Sequence, residues 1–108
     1  MGYSRRGVTK TDVNQAEIVA ALRAAGVSVV DLSGVGQGCP DLLCAIPSFM
    51  ALLEVKKPLG PRTDPDTHDD ERDLTGVQCA WLKAWHGPKV WIVRSVREAL
   101  DVFGKEES

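Results

Sequence analysis

The sequence lacks any apolar run of the roughly 18 to 20 residues that a membrane-spanning helix needs. Its N-terminus is basic and polar, with no apolar segment behind it, so we expect no signal peptide, no membrane contact and a cytoplasmic location. Cysteine is scarce as well: the three cysteines are an odd number without Cys-x-x-Cys spacing. That pattern argues against both a disulfide framework and a zinc site.

A large excess of charge of either sign is also missing. The net charge of −2 argues against a surface that binds nucleic acid on all sides. The charge is uneven, however, because residues 58–74 hold six acidic and two basic side chains and leave the rest of the chain net basic. This segment is rich in Pro, Gly, Asp and Thr, and we predict a solvated, mobile loop rather than a second metal site around His68.

Length and composition fit one domain. A chain of 108 residues with 44% apolar and 26% charged residues is ordinary for a globular protein with one modest core. We therefore predict a single domain over residues 1–108. Residues 1–10 would form a basic arm, either a solvated tail or an arm that contacts phosphates.

The succession of periodic segments predicts a mixed sheet with helices packed on it, an α/β (α+β) fold. The order is α-β-β-β-α-β-α, with helices at about 11–25, 75–85 and 95–103 and strands at 27–32, 41–46, 49–56 and 90–93. The short link Pro47-Ser48 makes the second and third strands an antiparallel hairpin. In the second helix, an apolar stripe of Trp81, Leu82 and Trp85 predicts a face that packs into the core.

Chemistry-bearing residues lie along that hairpin. A glycine-rich turn at 34–38, which fits neither a Walker loop nor a dinucleotide fingerprint, leads into Pro40-Asp41. The next strand ends in Glu54-Val55-Lys56. Because strand side chains alternate, Glu54 and Lys56 share one face while Val55 points into the core, and antiparallel pairing places Asp41 beside Glu54.

Two carboxylates at one sheet edge are costly unless a divalent cation lies between them. With the Val55 carbonyl and waters, they would form a hard oxygen site for Mg²⁺ or Mn²⁺. Lys56 would orient an attacking water or neutralise a phosphate. Glu17, among apolar positions of the first helix, and Gln78, one turn before the tryptophan stripe, are either surface residues or point toward this site.

Pro40-Asp41, followed after twelve residues by Glu54-Val55-Lys56, resembles the PD-(D/E)XK nuclease superfamily. The ordered addition of Glu17, Gly36-x-Gly38 and Leu74-Thr75-x-x-Gln78-x-x-Trp81-Leu82 resembles, more narrowly, its VRR-NUC branch in the short stand-alone form. The resemblance covers about residues 12 to 103. The acidic segment 58–74 departs from the family pattern, and an acidic flap beside a DNA groove would repel the backbone of the substrate.

The resemblance implies a restriction-endonuclease-like core and endonucleolytic hydrolysis of DNA phosphodiester bonds that depends on Mg²⁺ or Mn²⁺. The resemblance implies Asp41 and Glu54 as metal ligands and Glu17 in the metal site or next to it, and the Val55 carbonyl proposed above completes the predicted ligand set. The implied catalytic residues are Asp41, Glu54, Lys56, Glu17 and Gln78. The expected DNA-contacting residues are Arg5, Arg6, Lys10, Gly36, Gly38 and Lys57. Stand-alone members occur in phages and bacteria and resemble Holliday-junction resolvases, which implies branched DNA, a homodimer and a phage or bacterial host cytoplasm.

Three alternatives remain open at the level of sequence. The chain could be a flap or single-strand nuclease of the same fold, a catalytically inactive DNA-binding module, or a small α/β domain that is not a nuclease. The presence of every motif residue argues against the inactive module. Metal-dependent cleavage would separate the nuclease interpretations from the other two.

Overall fold

A computed structural model describes residues 10–107 of the chain. It contains helices α1 (Lys10–Ala24), α2 (Gly76–Ala84) and α3 (Val96–Val102), strands β1 (Ser28–Asp31), β2 (Leu42–Ile46), β3 (Phe49–Val55) and β4 (Val90–Val93), and a 3₁₀ helix at Asp70–Asp73. The predicted order α-β-β-β-α-β-α is confirmed. Between residues 10 and 107, no helix has the length and apolar character needed to cross a membrane.

The four strands form one mixed sheet in the order β1-β2-β3-β4. The pairs β1–β2 and β2–β3 are antiparallel, whereas β3 and β4 are parallel. Ile46 pairs directly with Phe49 across the link Pro47-Ser48, which confirms the predicted hairpin. A two-residue link fixes the strand register, and thereby which residues stand opposite each other at the far end of the hairpin.

The core lies on one face of this sheet. Ala51, Leu53 and Val55 of β3 belong to it, together with Ile18 and Leu22 of α1. Helices α1 and α3 contact each other and the sheet on this side. Because strand side chains alternate in direction, the residues between those of the core project from the opposite face, where the candidate site lies.

Helix α1 ends as its glycine predicts. Gly26 has φ +89° and its N–H donates to the Arg23 carbonyl (3.1 Å), while the Val27 N–H donates to the Leu22 carbonyl (2.9 Å). This pair of hydrogen bonds is a Schellman motif, which satisfies carbonyls at the helix end and favours glycine in the left-handed conformation. The turn directs the chain from α1 back into β1.

Helix α2 does not pack as the sequence predicts. It has no buried residue; Trp81 and Leu82 are half-buried and Trp85 is 39% exposed. The Trp81 and Trp85 rings stack with centroids 4.8 Å apart, while Leu82 lines a small cavity with Val90 and Ile92 on the face of the sheet opposite α1. The prediction of a core-facing stripe is wrong because α1 and α3 already occupy the core face.

The acidic segment 58–74 is more ordered than a solvated loop. It contains the 3₁₀ helix, and two of its acids bind Arg94, which is only 6% exposed. The Arg94 guanidinium donates to Asp70 through Nε (3.1 Å) and Nη2 (3.0 Å), to Asp73 through Nη2, and to the Lys57 carbonyl through Nη1 (3.0 Å). His68 Nε2 lies 2.8 Å from Asp73 Oδ2. We call Arg94, Asp70, Asp73 and His68 the Arg94 cluster.

The start of α3 supports this cluster. The Ser95 hydroxyl accepts the Glu98 N–H (3.0 Å), which is one half of a capping box. The Glu98 carboxylate, however, accepts the N–H of Arg94 (2.7 Å) instead of that of Ser95. The reciprocal half of the box is therefore shifted by one residue and fixes the backbone of Arg94.

Candidate active site

The β2–β3 register brings Asp41 and Glu54 together. Leu42 pairs with Leu53, so the next residues outward, Asp41 and Glu54, stand beside each other at the end of the hairpin. Asp41 Oδ2 accepts the backbone N–H of Val55 (2.7 Å), and the Asp41 N–H donates to the Leu53 carbonyl (3.0 Å). The Asp41 carboxylate is thus held against the backbone of β3.

Lys56 and Gln78 complete a compact group with these acids. Gln78 Nε2 donates to Glu54 Oε2 (2.9 Å), and Gln78 Oε1 accepts from Lys56 Nζ (3.1 Å). Lys56 Nζ also forms an ion pair with Glu54 Oε2 at 3.5 Å. We call Asp41, Glu54, Lys56 and Gln78 the carboxylate site. The structure brings these four predicted residues together. They include Gln78, for which the sequence left open whether it is a surface residue or points toward the site.

The N-terminus of α2 fixes the orientation of the Gln78 amide. The Thr75 hydroxyl accepts the Gln78 backbone N–H (3.1 Å), and the Thr75 backbone N–H donates to Gln78 Oε1 (2.9 Å). This is a complete capping box. Because Oε1 receives donors from Thr75 and Lys56, the amide NH₂ is directed to Glu54, so one glutamine caps a helix and joins it to the site.

The glycine loop packs closely against the first turn of α2. Gly38 has φ +84°, and a Cβ there would lie 2.4 Å from the Val77 carbonyl oxygen in the first turn of α2. Gly36 has φ +73°, and its carbonyl accepts the Cys39 N–H (3.1 Å). Gly38 is therefore required by close packing as well as by its backbone conformation. A role of Gly36 and Gly38 in binding DNA stays a prediction.

The carboxylate site carries more negative than positive charge. Burial raises the pKa of Glu54 from 4.5 to about 7, the Asp41 charge adds to the increase, and Lys56 opposes it. Burial also raises the pKa of Asp41, although the Val55 N–H and Lys56 act against it. The pKa of the Cys39 thiol is raised by burial and by the charges of both carboxylates.

This donor set fits a hard divalent cation. Two partly buried carboxylates next to one ammonium favour an added positive charge, and carboxylate oxygens suit Mg²⁺ or Mn²⁺. Within residues 10–107, no three His, Cys, Asp or Glu side chains are grouped to hold a metal ion. Further ligands would have to be backbone, water or substrate oxygens. The Val55 side chain lies in the core, and its carbonyl remains a predicted ligand.

The structure does not bring Glu17 to the site. Its side chain is exposed, and no described contact joins it to Asp41 or Glu54. Of the two orientations that the sequence left open for Glu17, the structure has the exposed one, because α1 turns Asn14, Ile18 and Leu22 toward the sheet. A role for Glu17 at a metal stays a prediction that no contact supports.

Of the basic residues predicted to contact DNA, two lie in the described part of the chain and two lie outside it. Lys10 is the exposed first residue of α1, and Lys57 is exposed directly after Lys56. Arg5 and Arg6 lie outside the described residues. Their contacts with DNA remain predictions.

Two residues that hold the site were missed from the sequence. Asn14 is 7% exposed, and its Nδ2 donates to the carbonyls of Lys56 (2.9 Å) and Arg94 (2.8 Å), tying α1 to the chain just beyond β3 and β4. The sequence does contain a signal for Asn14, because this polar residue falls on the same face of α1 as the apolar residues Ile18 and Leu22. Arg94 gave no signal, since an arginine after a strand is usually a surface residue.

The chain is similar to a structure described as "VRR_NUC domain", with a TM-score of 0.58 and 24% identity over 89% of this chain and 96% of that one. The chain therefore has a VRR-NUC-like fold, which agrees with the predicted restriction-endonuclease-like core. Neither the family models nor the curated proteins gave a match.

Proposed function

We propose that this protein is a metal-dependent nuclease that hydrolyses phosphodiester bonds in DNA. The observation that carries the proposal is the pairing of Asp41 with Glu54 beside Lys56, in which burial of two carboxylates raises the pKa of Glu54 to about 7. Perturbed acids beside a lysine are typical of functional sites. The VRR-NUC-like fold supports the same class of reaction.

Asp41 and Glu54 would hold the cation, with Mg²⁺ or Mn²⁺ as the candidates. The bound cation would polarise a phosphoryl oxygen and lower the pKa of a water molecule. Asp41 is kept in place by the Val55 N–H and Glu54 by the Gln78 amide. Such fixed oxygens need no rearrangement when charge develops in the transition state.

Lys56 and Gln78 would act on the substrate side of the same site. The Lys56 ammonium, restrained by Gln78 Oε1 at 3.1 Å, would orient the attacking water or neutralise charge on the phosphate. Gln78 would keep Lys56 and Glu54 at a fixed separation. Restraint of this kind lowers the entropy that must be lost to reach a reactive geometry.

We propose branched DNA as the substrate and a homodimer as the active form. A four-way junction that is cut symmetrically needs two equivalent sites, which a two-fold dimer supplies. The alternative within the same fold is a nuclease for flaps or single strands. The pattern of cuts distinguishes them.

The test is cleavage of an end-labelled four-way junction, a flap and a plain duplex, each with Mg²⁺, Mn²⁺ or EDTA. Glu54→Gln keeps the shape of the side chain and removes its charge, and Glu106→Gln is the matched control because Glu106 is exposed in the C-terminal tail. We expect metal-dependent cleavage that Glu54→Gln loses and Glu106→Gln keeps. Paired, symmetric cuts on the junction would support a dimeric resolvase.

Two outcomes would refute the nuclease function or the assigned site. If folded wild-type protein cleaves none of the substrates and calorimetry detects no Mg²⁺ or Mn²⁺ binding, the nuclease proposal fails. Retained binding of the junction in that case would indicate a DNA-binding module. Equal activity of Glu54→Gln and wild type would overturn the assigned site.

A further inference from the structure

A second concave feature lies beside the carboxylate site. It is a pocket of about 400 Å³ between the chain that follows β3 and the segment that leads to the 3₁₀ helix. Lys56 lines both this pocket and the carboxylate site. We call it the Lys57 pocket, and its walls include Lys57, Pro58, Leu59, Thr63 and Thr11. A volume of this size is in the range of small-molecule sites.

Three donor side chains in the wall of the Lys57 pocket, those of Lys57, Thr11 and Thr63, have no described partner. In the part of the chain that the structure covers, no described contact engages the Lys57 ammonium or the hydroxyls of Thr11 and Thr63. An ammonium and two hydroxyls are groups that bind phosphate and sugar oxygens. Pro58 and Leu59 add an apolar wall, which suits the sugar edge or the face of a base.

The acid that borders this pocket is already neutralised. Asp73 accepts hydrogen bonds from Arg94 and lies 2.8 Å from His68 Nε2, so its charge is used inside the Arg94 cluster. Hydrogen bonds from His68 and Arg94 hold the pKa of Asp73 below its ordinary value. Among the described residues that line the pocket, the one carboxylate is therefore already paired, and Lys57 remains available to an anion.

We propose that the Lys57 pocket is a nucleotide subsite, which takes the phosphate and nucleoside adjacent to the scissile phosphate held at the carboxylate site. This inference rests on the proposed nuclease function and deepens it. Segment 58–74 is then part of the substrate-binding surface and is held in shape by Arg94. The acid of this segment that lines the pocket, Asp73, is paired with Arg94 and His68, which reduces its repulsion of the DNA backbone.

The test is a titration with 5′-phosphorylated thymidine dinucleotide in EDTA, followed by NMR of the backbone amides, so that no cleavage is required. Thymidine and inorganic phosphate are titrated separately. We expect the dinucleotide to shift the amides of Lys57 and Thr63 and to bind about tenfold or more tightly than either fragment, since the phosphate and the nucleoside contact different walls.

Three variants define the site. Lys57→Gln should weaken dinucleotide binding about tenfold, because it removes a charge-assisted contact, and Thr63→Val about fivefold, because it removes one hydroxyl at nearly constant shape. Lys83→Gln is the control, since Lys83 is an exposed lysine in the last turn of α2. Thermal melts verify that each variant is folded.

Failure of this inference is distinguishable from failure of the proposed function. If the dinucleotide does not bind, or if Lys57→Gln and Thr63→Val bind it as wild type does, the subsite is refuted even where junction cleavage is observed. If inorganic phosphate binds as tightly as the dinucleotide, the nucleoside part is refuted. Dinucleotide binding that both variants weaken supports the subsite even in a protein that cleaves nothing.

Discussion

The carboxylate site and the Arg94 cluster are built from the same kinds of side chain with opposite results. Each has two acids and a cation near the end of the sheet. In the Arg94 cluster, hydrogen bonds from His68 and Arg94 lower the pKa of Asp73. In the carboxylate site, burial beside Asp41 raises the pKa of Glu54 to about 7, although Lys56 lies 3.5 Å away.

The two clusters differ in whether their negative charges are balanced by donors. Arg94 spreads its donors over two acids and the Lys57 carbonyl, and both acids are also partly exposed to water. Lys56 offers one ammonium to two carboxylates that are mostly buried. A cluster whose charges are satisfied stabilises the fold, whereas one with excess negative charge favours binding of a cation.

Replacing Lys56 should produce the largest effect. Lys56→Met removes the ammonium at similar length, and we expect cleavage of the junction to fall by at least about 10²-fold, as when a group that stabilises transition-state charge is lost. Lys83→Met on α2 is the control and should cleave normally. Full activity of Lys56→Met in single-turnover assays would show that the ammonium has no part in the reaction.

Replacing Arg94 should mainly affect stability. Arg94→Met leaves Asp70 and Asp73 without their buried partner, and we expect the melting temperature to fall by roughly 10 °C. Arg97 supplies the matched control, because it is exposed and lies 3.7 Å from Glu107 in a surface pair. Arg97→Met should change the melting temperature by about 2 °C or less. Equal melting temperatures for the two variants would contradict the structural role of the cluster.

The stability of the metal-free protein should depend on pH through Glu54. Its pKa is raised from 4.5 to about 7 on folding, so the folded state binds more protons than the unfolded state in that window. The free energy of unfolding should therefore fall as pH rises from about 4.5 to 7 in EDTA. Asp41, whose pKa is also raised, acts in the same direction.

Urea unfolding at pH 5.5 and pH 8 in EDTA measures this dependence. Glu54→Gln should reduce it, and Mg²⁺ at pH 8 should restore stability to the wild type but not to the variant. A wild-type protein that becomes more stable between pH 5.5 and pH 8 would contradict the raised pKa values.

Replacing Gln78 should have a smaller effect on cleavage than replacing Lys56. Gln78→Ala removes the amide that joins Glu54 to Lys56, and we expect about tenfold slower cleavage, because positioning is lost while both charged groups remain. Thr75→Ser keeps the cap hydroxyl and should be close to wild type. A loss as large as that of Lys56→Met would indicate that Gln78 contacts the reacting atoms.

Replacing Glu17 distinguishes the role that the family resemblance implies from the exposed position that the structure gives it. Because its side chain is exposed and has no described contact with the carboxylate pair, we expect Glu17→Gln to cleave within about twofold of wild type. The resemblance to VRR-NUC nucleases predicts a larger loss. A reduction comparable to that of Glu54→Gln would mean that α1 carries a metal ligand after all.

Much of the fold was predictable because its signals are local. Gly26 and Thr75 mark helix ends through their own backbone and side-chain hydrogen bonds. Pro47-Ser48 sets a two-residue hairpin whose register places Asp41 beside Glu54. The pairing of Asp41 with Glu54 could therefore be predicted from the alternation of side chains along two neighbouring strands.

Local signals in the sequence predicted the order of the elements, the hairpin and the pairing of Asp41 with Glu54. The structure was needed to show that α2 lies on the face opposite the core, that Gln78 reaches Glu54, 24 residues earlier, and that Arg94 binds Asp70 across the same separation. It also decided that Glu17 faces outward. The physical reason is that strand alternation and capping act over a few residues, whereas the partner of a polar side chain on a distant element depends on which face of the sheet that element covers.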